Sequence, residues 1–197
     1  MEEVRTLQGI TGKTAPGRAP DYTSAHLLYA LSLLSERRIG RKNLSEELRV
    51  GEGTVRTIIS RVSNAGLIEV SRQGISLSPD GISFLERVRS RLNWCVYPST
   101  DLTVAENNCI VLISGASGEI RYGVEQRDQA LIHGAVGATT LVMVDGSWVM
   151  PGTDEGVELT IPKTLVPKDG DVVIIGSGDD EFTAKLGALS AALQVLV

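Results

Sequence analysis

The stretch that decides the fold runs Gly53-Thr54-Val55-Arg56-Thr57-Ile58-Ile59-Ser60-Arg61-Val62-Ser63-Asn64-Ala65-Gly66-Leu67-Ile68. Val55, Ile58, Ile59 and Val62 recur at i, i+3, i+4 and i+7, which predicts a helix over 54–65 with one apolar face. Thr54, Arg56, Thr57, Ser60 and Arg61 then point outward. Hydroxyls and guanidinium groups are the side chains that contact phosphates and guanine edges. Gly66 supplies the left-handed residue that ends such a helix. Beyond it, Leu67–Ser71 and Ile75–Leu77 read as two strands joined by an Arg72-Gln73-Gly74 turn.

Working outward, Ser78-Pro79 opens another helix with proline at its first position. Its apolar face is Ile82, Leu85, Val88 and Leu92, and Arg87, Arg89 and Arg91 lie on another face. Upstream, Thr23 or Ser24 caps a helix carrying Leu27, Leu28, Leu31 and Leu34, ended near Arg37-Arg38 and Gly40. A short helix over 43–48 follows, with Asn43 and Glu46 in capping-box spacing. The first 20 residues show no sustained periodicity and read as a loosely ordered arm, in which Lys13 and Arg18 are offset by Glu2 and Glu3.

Helix, short helix, helix, hairpin, helix is the order of a winged helix-turn-helix, and residues 22–93 resemble that superfamily. Gly53-Thr54-Val55-Arg56, Ile59-Ser60 and Ala65-Gly66-Leu67-Ile68 look like its recognition helix running into the wing. Ile75-Ser76-Leu77-Ser78-Pro79-Asp80-Gly81 and Phe84-Leu85 look like the close of the wing. The resemblance implies that Thr54, Arg56, Thr57, Ser60 and Arg61 face the major groove of double-stranded DNA. It sets Arg72 and Gln73 near phosphates or the minor groove. Glu52, just before the helix, suits the helix dipole but not a neighbouring phosphate.

Charge supports a division. Residues 1–100 hold 14 Lys and Arg against 10 Asp and Glu, a net of +4, whereas residues 101–197 hold 5 against 14, a net of −9. The total of −5 is therefore a cancellation between a half that suits polyanions and one that repels them. We expect an arm over 1–21, a winged-helix domain over 22–94 and a second domain over 95–197, with Trp94 and Tyr97 packing at the junction.

In the acidic half, Cys109–Ile113 and Asp171–Ile175 are continuous apolar runs, the pattern of strands buried on both faces. Thr139–Val144 is a third strand, and Asp145-Gly146 signals a hairpin into Ser147-Trp148-Val149. Val157–Ile161 is a candidate fifth. Helices are expected over 124–132 and 181–195, the latter buried in its domain or shared with a homodimer interface. The fold class is thus α/β (α+β), a winged helix followed by a mixed domain.

Two loops after buried strands are candidate small-ligand sites. Gly176-Ser177-Gly178-Asp179 stands where open α/β sheets bind ligands, although Asp179 and Asp180 also serve as helix caps. Ser114-Gly115-Ala116-Ser117 is the second, through Ser114, Gly115 and Ser117. Glu125, Arg127, Asp128 and His133 read as a solvated helix surface rather than an acid–base set. Gln126-Arg127-Asp128-Gln129-Ala130, Gly134-Ala135-Val136-Gly137-Ala138-Thr139-Thr140-Leu141 and Gly170-Asp171-Val172-Val173-Ile174-Ile175-Gly176 resemble archaeal winged-helix proteins with an uncharacterised C-terminal domain. That resemblance implies a regulator and names no effector.

Cys95 and Cys109 are too few for a disulfide framework, and with His26 and His133 they form no zinc-ligand spacing. No apolar run spans a membrane and no signal-peptide layout is present, so a cytoplasmic location is expected. With no Ser-His-Asp, zinc or phosphate-loop constellation, no catalytic residue, metal or cofactor is expected. The function expected is transcription regulation by a winged-helix reader of double-stranded DNA, as a homodimer, with a C-terminal domain that dimerises or senses a small-molecule effector. The alternatives are a small-molecule enzyme with a regulatory winged helix, or a winged helix that binds protein.

Overall fold

Local patterning accounts for most of the elements in a computed structural model of the chain, which describes residues 1–12, 20–153 and 155–197. Two compact units divide between Val88 and Arg89.

In the first unit, α2 (Ser24–Glu36) starts on Thr23, where the threonine hydroxyl and the His26 ring complete a capping box. Helix α3 (Arg41–Leu48) begins two residues earlier than the sequence suggests, so Gly40 caps it and Asn43 lies inside. Helix α4 (Glu52–Asn64) buries Val55, Ile58 and Val62. Strands β1 (Ile68–Ser71) and β2 (Gly74–Leu77) pair antiparallel, and Ile39 bridges Ile75 as a third rung. The following helix, α5 (Pro79–Arg89), buries Gly81, Phe84, Leu85 and Val88 and leaves Ile82 half exposed. Ile82 was expected on the buried face. The neighbouring glycine takes that place, because a Cβ at Gly81 would be driven into the Leu67 carbonyl. Helix and hairpin can meet there only without a side chain.

The expected arm is corrected over its first part. Glu2–Thr11 forms a helix, α1, whose Val4 and Leu7 are fully buried. It packs on α2, and Tyr22 donates to the Ile10 carbonyl at 3.5 Å. Two apolar residues one turn apart anchor it, too short a stripe to stand out as periodicity. Residues 13–19 of the arm, with Lys13 and Arg18, lie outside the described residues.

In the second unit, six strands form one sheet in the order β3-β4-β8-β5-β6-β7. They are β3 (Leu92–Tyr97), β4 (Asn107–Ile113), β5 (Gly137–Val144), β6 (Ser147–Val149), β7 (Gly156–Val157) and β8 (Val172–Gly178). Every pairing is antiparallel. Trp94 and Tyr97, expected at the junction, thus lie in an edge strand of the second unit, and the boundary falls earlier than residue 94. Strand β7 meets the candidate fifth strand, Val157–Ile161, only at Val157. The β5–β6 turn puts Asp145 and Gly146 at φ 48 and 76, both left-handed, as a tight hairpin requires.

Helices α6 (Val124–Ile132) and α7 (Glu181–Val195) cover one face of the sheet. On the other face Tyr97, Ile110, Leu112, Leu141, Met143, Trp148, Val173 and Ile175 form a core closed by Leu165 and by Leu159 and Ile161. Both faces are thus covered, and the continuous apolar runs of β4 and β8 follow from that in an antiparallel setting.

Candidate nucleic-acid interface

The exposed surface of the first unit is built on α4. Arg56, Thr57 and Ser60 are exposed, as the helical spacing requires, whereas Thr54, expected outward with them, is half buried at the start of the helix. Arg56 Nη2 lies 3.7 Å from Glu52 Oε2 one turn back, with both side chains about two-thirds exposed. A pair this open to water contributes little and leaves the guanidinium available to an anion. The Thr57 hydroxyl donates to the Gly53 carbonyl at 3.1 Å, so in this rotamer it presents lone pairs outward. Arg72 and Gln73 are exposed at the hairpin tip.

Arg61 is placed differently. Its Nη1 donates to the carbonyls of Ile10 at 2.8 Å and Gly12 at 2.9 Å. These oxygens belong to the C-terminal end of α1, where a cation complements the helix dipole. Arg61 therefore ties α1 to α4 and leaves the expected DNA-facing set. Two signals were readable only in three dimensions: α1 itself, and a partner 51 residues away. Glu3 secures the other end of α1, with Arg87 Nε donating to its Oε1 at 2.7 Å. Burial pushes the Glu3 carboxyl up, and the Arg87 hydrogen bond and charge outweigh it, leaving Glu3 below its ordinary value.

Other cations surround the hairpin. Arg38 Nη1 donates to Ser71 Oγ at 3.3 Å, linking the end of α2 to β1. Arg41 and Arg72 line an open cleft of about 400 Å³ whose floor includes Ile59 and Ile75. Arg37 is paired with Glu47 at 2.6 Å. The reading of 54–73 alone missed Arg38 and Arg41, which precede α4 in the chain and come to the hairpin through the Ile39–Ile75 bridge. Together the exposed groups present cations and hydrogen-bonding side chains along a helix and beside a hairpin, a layout suited to a polyanion.

The two expected ligand loops are not brought together. Gly176, Ser177 and Gly178 lie buried inside β8 rather than in a loop after it, Gly176 and Ser177 paired on both sides and Gly178 with Asn107 of β4. A Cβ at Gly176 would fall 2.7 Å from the Ala184 carbonyl, and one at Gly178 2.5 Å from the Ala184 nitrogen. These glycines bring α7 close to the sheet. The Ser177 hydroxyl is spent on Asn108 Oδ1 at 2.6 Å. Asp179 is exposed, and Asp180 caps α7 by accepting from Thr183 N at 2.9 Å.

Ser114, Gly115 and Ser117 stand at the opposite end of the sheet, separated by the length of β8, about 20 Å at strand rise. Their backbone is already engaged: Gly115 N donates to the buried Asp171 carboxylate at 2.8 Å, and Ser117 N to the Gly170 carbonyl at 3.0 Å. An antiparallel sheet has no row of strand C-termini, which removes the geometric reason for a ligand crevice at residues 176–179. Among the described residues no group of three or more His, Cys, Asp or Glu could hold a metal ion, and no helix is long and apolar enough to cross a membrane.

A family model described as "PH0730-like, N-terminal domain" matches residues 26–83, and one described as a domain of unknown function (DUF4443) matches residues 104–195. The solved structure of the hypothetical protein PH0730 from Pyrococcus horikoshii OT3 is similar over 89% of this chain and 93% of that one. Its sequence identity is 24% and its TM-score 0.72. At that identity the likeness concerns the fold. No curated protein matches the chain.

Proposed function

We propose that the chain is a DNA-binding transcription regulator whose first unit is a winged helix-turn-helix. In this reading α4 enters the major groove of duplex DNA, and Arg56, Thr57 and Ser60 approach bases and phosphates. Arg72 and Gln73 at the hairpin tip approach the neighbouring backbone or minor groove. The observation that carries the reading is the exposed Arg56–Thr57–Ser60 face of α4 beside a hairpin that holds Arg72 and is tied to Arg38.

One such unit makes only a few phosphate contacts, and non-specific binding of that kind has a Kd of about 10⁻⁴ to 10⁻⁶ M. Useful affinity therefore calls for a homodimer on two half-sites, with the second unit serving dimerisation or the sensing of a small effector. No catalytic role is assigned to either unit.

Titration of the full chain with duplex DNA at several salt concentrations tests the proposal. Binding that weakens steeply with salt supports it, and no binding at low salt overturns it.

A further inference from the structure

Three buried side-chain atoms lack a hydrogen-bond partner among the described residues: Gln126 Oε1, Thr140 Oγ1 and Ser190 Oγ. They come from three different elements, and the packing gathers them at one place. Gly123, the residue before α6, lies against Thr140 on β5: a Cβ there would sit 3.4 Å from the Thr140 hydroxyl. Gln126 follows one turn later, on the stripe that continues to Ala130. Helices α6 and α7 run antiparallel, because a Cβ at Gly187 would meet Ala130, and one at Gly134 would meet Thr183. Continuing that register by one turn sets Ser190 beside Gln126.

The same place is the N-terminus of α6. Its first-turn N–H groups have no intrahelical acceptor, and Gly123 brings no capping side chain. Helix α7, by contrast, is closed by Asp180. Buried polar atoms are nearly always satisfied, so three that are not, around one uncapped helix start, call for a missing partner.

We infer that the first turn of α6 with Thr140, Gln126 and Ser190 forms a binding site for a small α-hydroxy or α-amino carboxylate. The chemistry selects the class. Backbone N–H groups at a helix start attract an anionic acceptor. Every side chain of the set is uncharged and the exposed Glu125 shares the turn, which disfavours a dianion such as phosphate. Gln126 Oε1 can only accept, so the ligand must carry an O–H or N–H donor next to its carboxylate. The three atoms are sealed from solvent. Entry therefore requires the first turn of α6 to lift, for which Gly123 and Gly134, at φ 75 and 93, bracket the helix. The site stands apart from the DNA reading of the first unit.

Nuclear magnetic resonance of the ¹⁵N-labelled full chain tests it with L-lactate and L-alanine as probes and acetate, which has no donor, as comparator. Lactate or alanine should move the amide signals of Gly123 to Gln126 and of Thr140, with acetate weaker by about tenfold. Thr140→Val and Gln126→Met should keep the folded spectrum and a melting temperature at or above that of the parent, and lose the response. Their stability separates lost binding from lost folding, since each removes an unsatisfied group. The inference is overturned if neither probe moves those signals at millimolar concentration, if both variants respond as the parent does, or if a crystal grown with lactate holds only water against Thr140 and Gln126.

Discussion

Arg61→Ala should separate two roles that the sequence assigns to one helix face. The substitution removes two hydrogen bonds from a guanidinium to the carbonyls of Ile10 and Gly12, at 2.8 and 2.9 Å. Hydrogen bonds from charged groups contribute about 1.5–3 kcal/mol each when well buried. Arg61 is half buried and the freed carbonyls can be hydrated, so the pair is discounted to about 1–2 kcal/mol in total. The first unit spans Met1–Val88, a size at which each kcal/mol moves the melting temperature by about 4–8 °C. Calorimetry should therefore show its transition lowered by about 4–16 °C. Hydrogen exchange should show amides of residues 2–11 losing protection first, since α1 is what the clamp holds.

Arg56→Ala is the counterpart. Its one ion pair is exposed, so stability should stay within about 0.5 kcal/mol. DNA affinity should fall, and the salt dependence should lose about one counterion. The clamp reasoning is refuted if Arg61→Ala melts with the parent and α1 keeps its protection.

Three further outcomes follow from the packing and the titrating groups. Gly178→Ala should cost about 1–3 kcal/mol in denaturant unfolding, because its Cβ would lie 2.5 Å from the Ala184 nitrogen, whereas Gly118→Ala, with nothing within 4 Å, should be close to neutral. Glu3 has a lowered folded-state pKa, so its contribution is present above the ordinary carboxylate range and is lost as pH falls through it. Acidification from about pH 5 to pH 3 should loosen α1, and Glu3→Gln should flatten that dependence in hydrogen exchange. Burial pushes the Cys109 thiol up to about 12, so a disulfide-exchange reagent at about pH 8 should modify Cys95 in the native chain and reach Cys109 only after unfolding.

Much of the first unit is legible because α4 and α5 are amphipathic over about three turns and the hairpin carries its own turn residues. Val55, Ile58 and Val62 announce α4 without reference to the rest of the chain. Helix α1 is not legible, since Val4 and Leu7 become a stripe only when α2 is there to receive them. The second unit shows the same division. Asp145-Gly146 is a local signal and predicts its hairpin. Trp94 and Tyr97 read as a junction because the strand character of their segment comes from pairing with β4.

The candidate site divides likewise. Exposure of Arg56 and Ser60 follows from helical spacing, but the diversion of Arg61 depends on carbonyls about fifty residues away. Gly176 and Gly178 resemble a phosphate-binding turn in one dimension. In space they are the places where a helix leans on a strand. The unpartnered atoms of Gln126, Thr140 and Ser190 carry no sequence mark, because satisfaction of a polar group is a property of its neighbours.

The position of β8 bears on how the protein is made. This strand lies between β4 and β5 in the sheet, yet it is the last strand in the chain. During synthesis the β3–β4 hairpin and the β5–β6–β7 meander emerge with open edges facing each other and nothing to join them. They remain so until residues 172–178 leave the ribosome. Residues 1–88 form a compact unit of their own and can fold by then. A nascent chain halted near residue 170 should thus carry a finished first unit and a second unit with two exposed strand edges, the state in which capture by a chaperone or aggregation competes with folding.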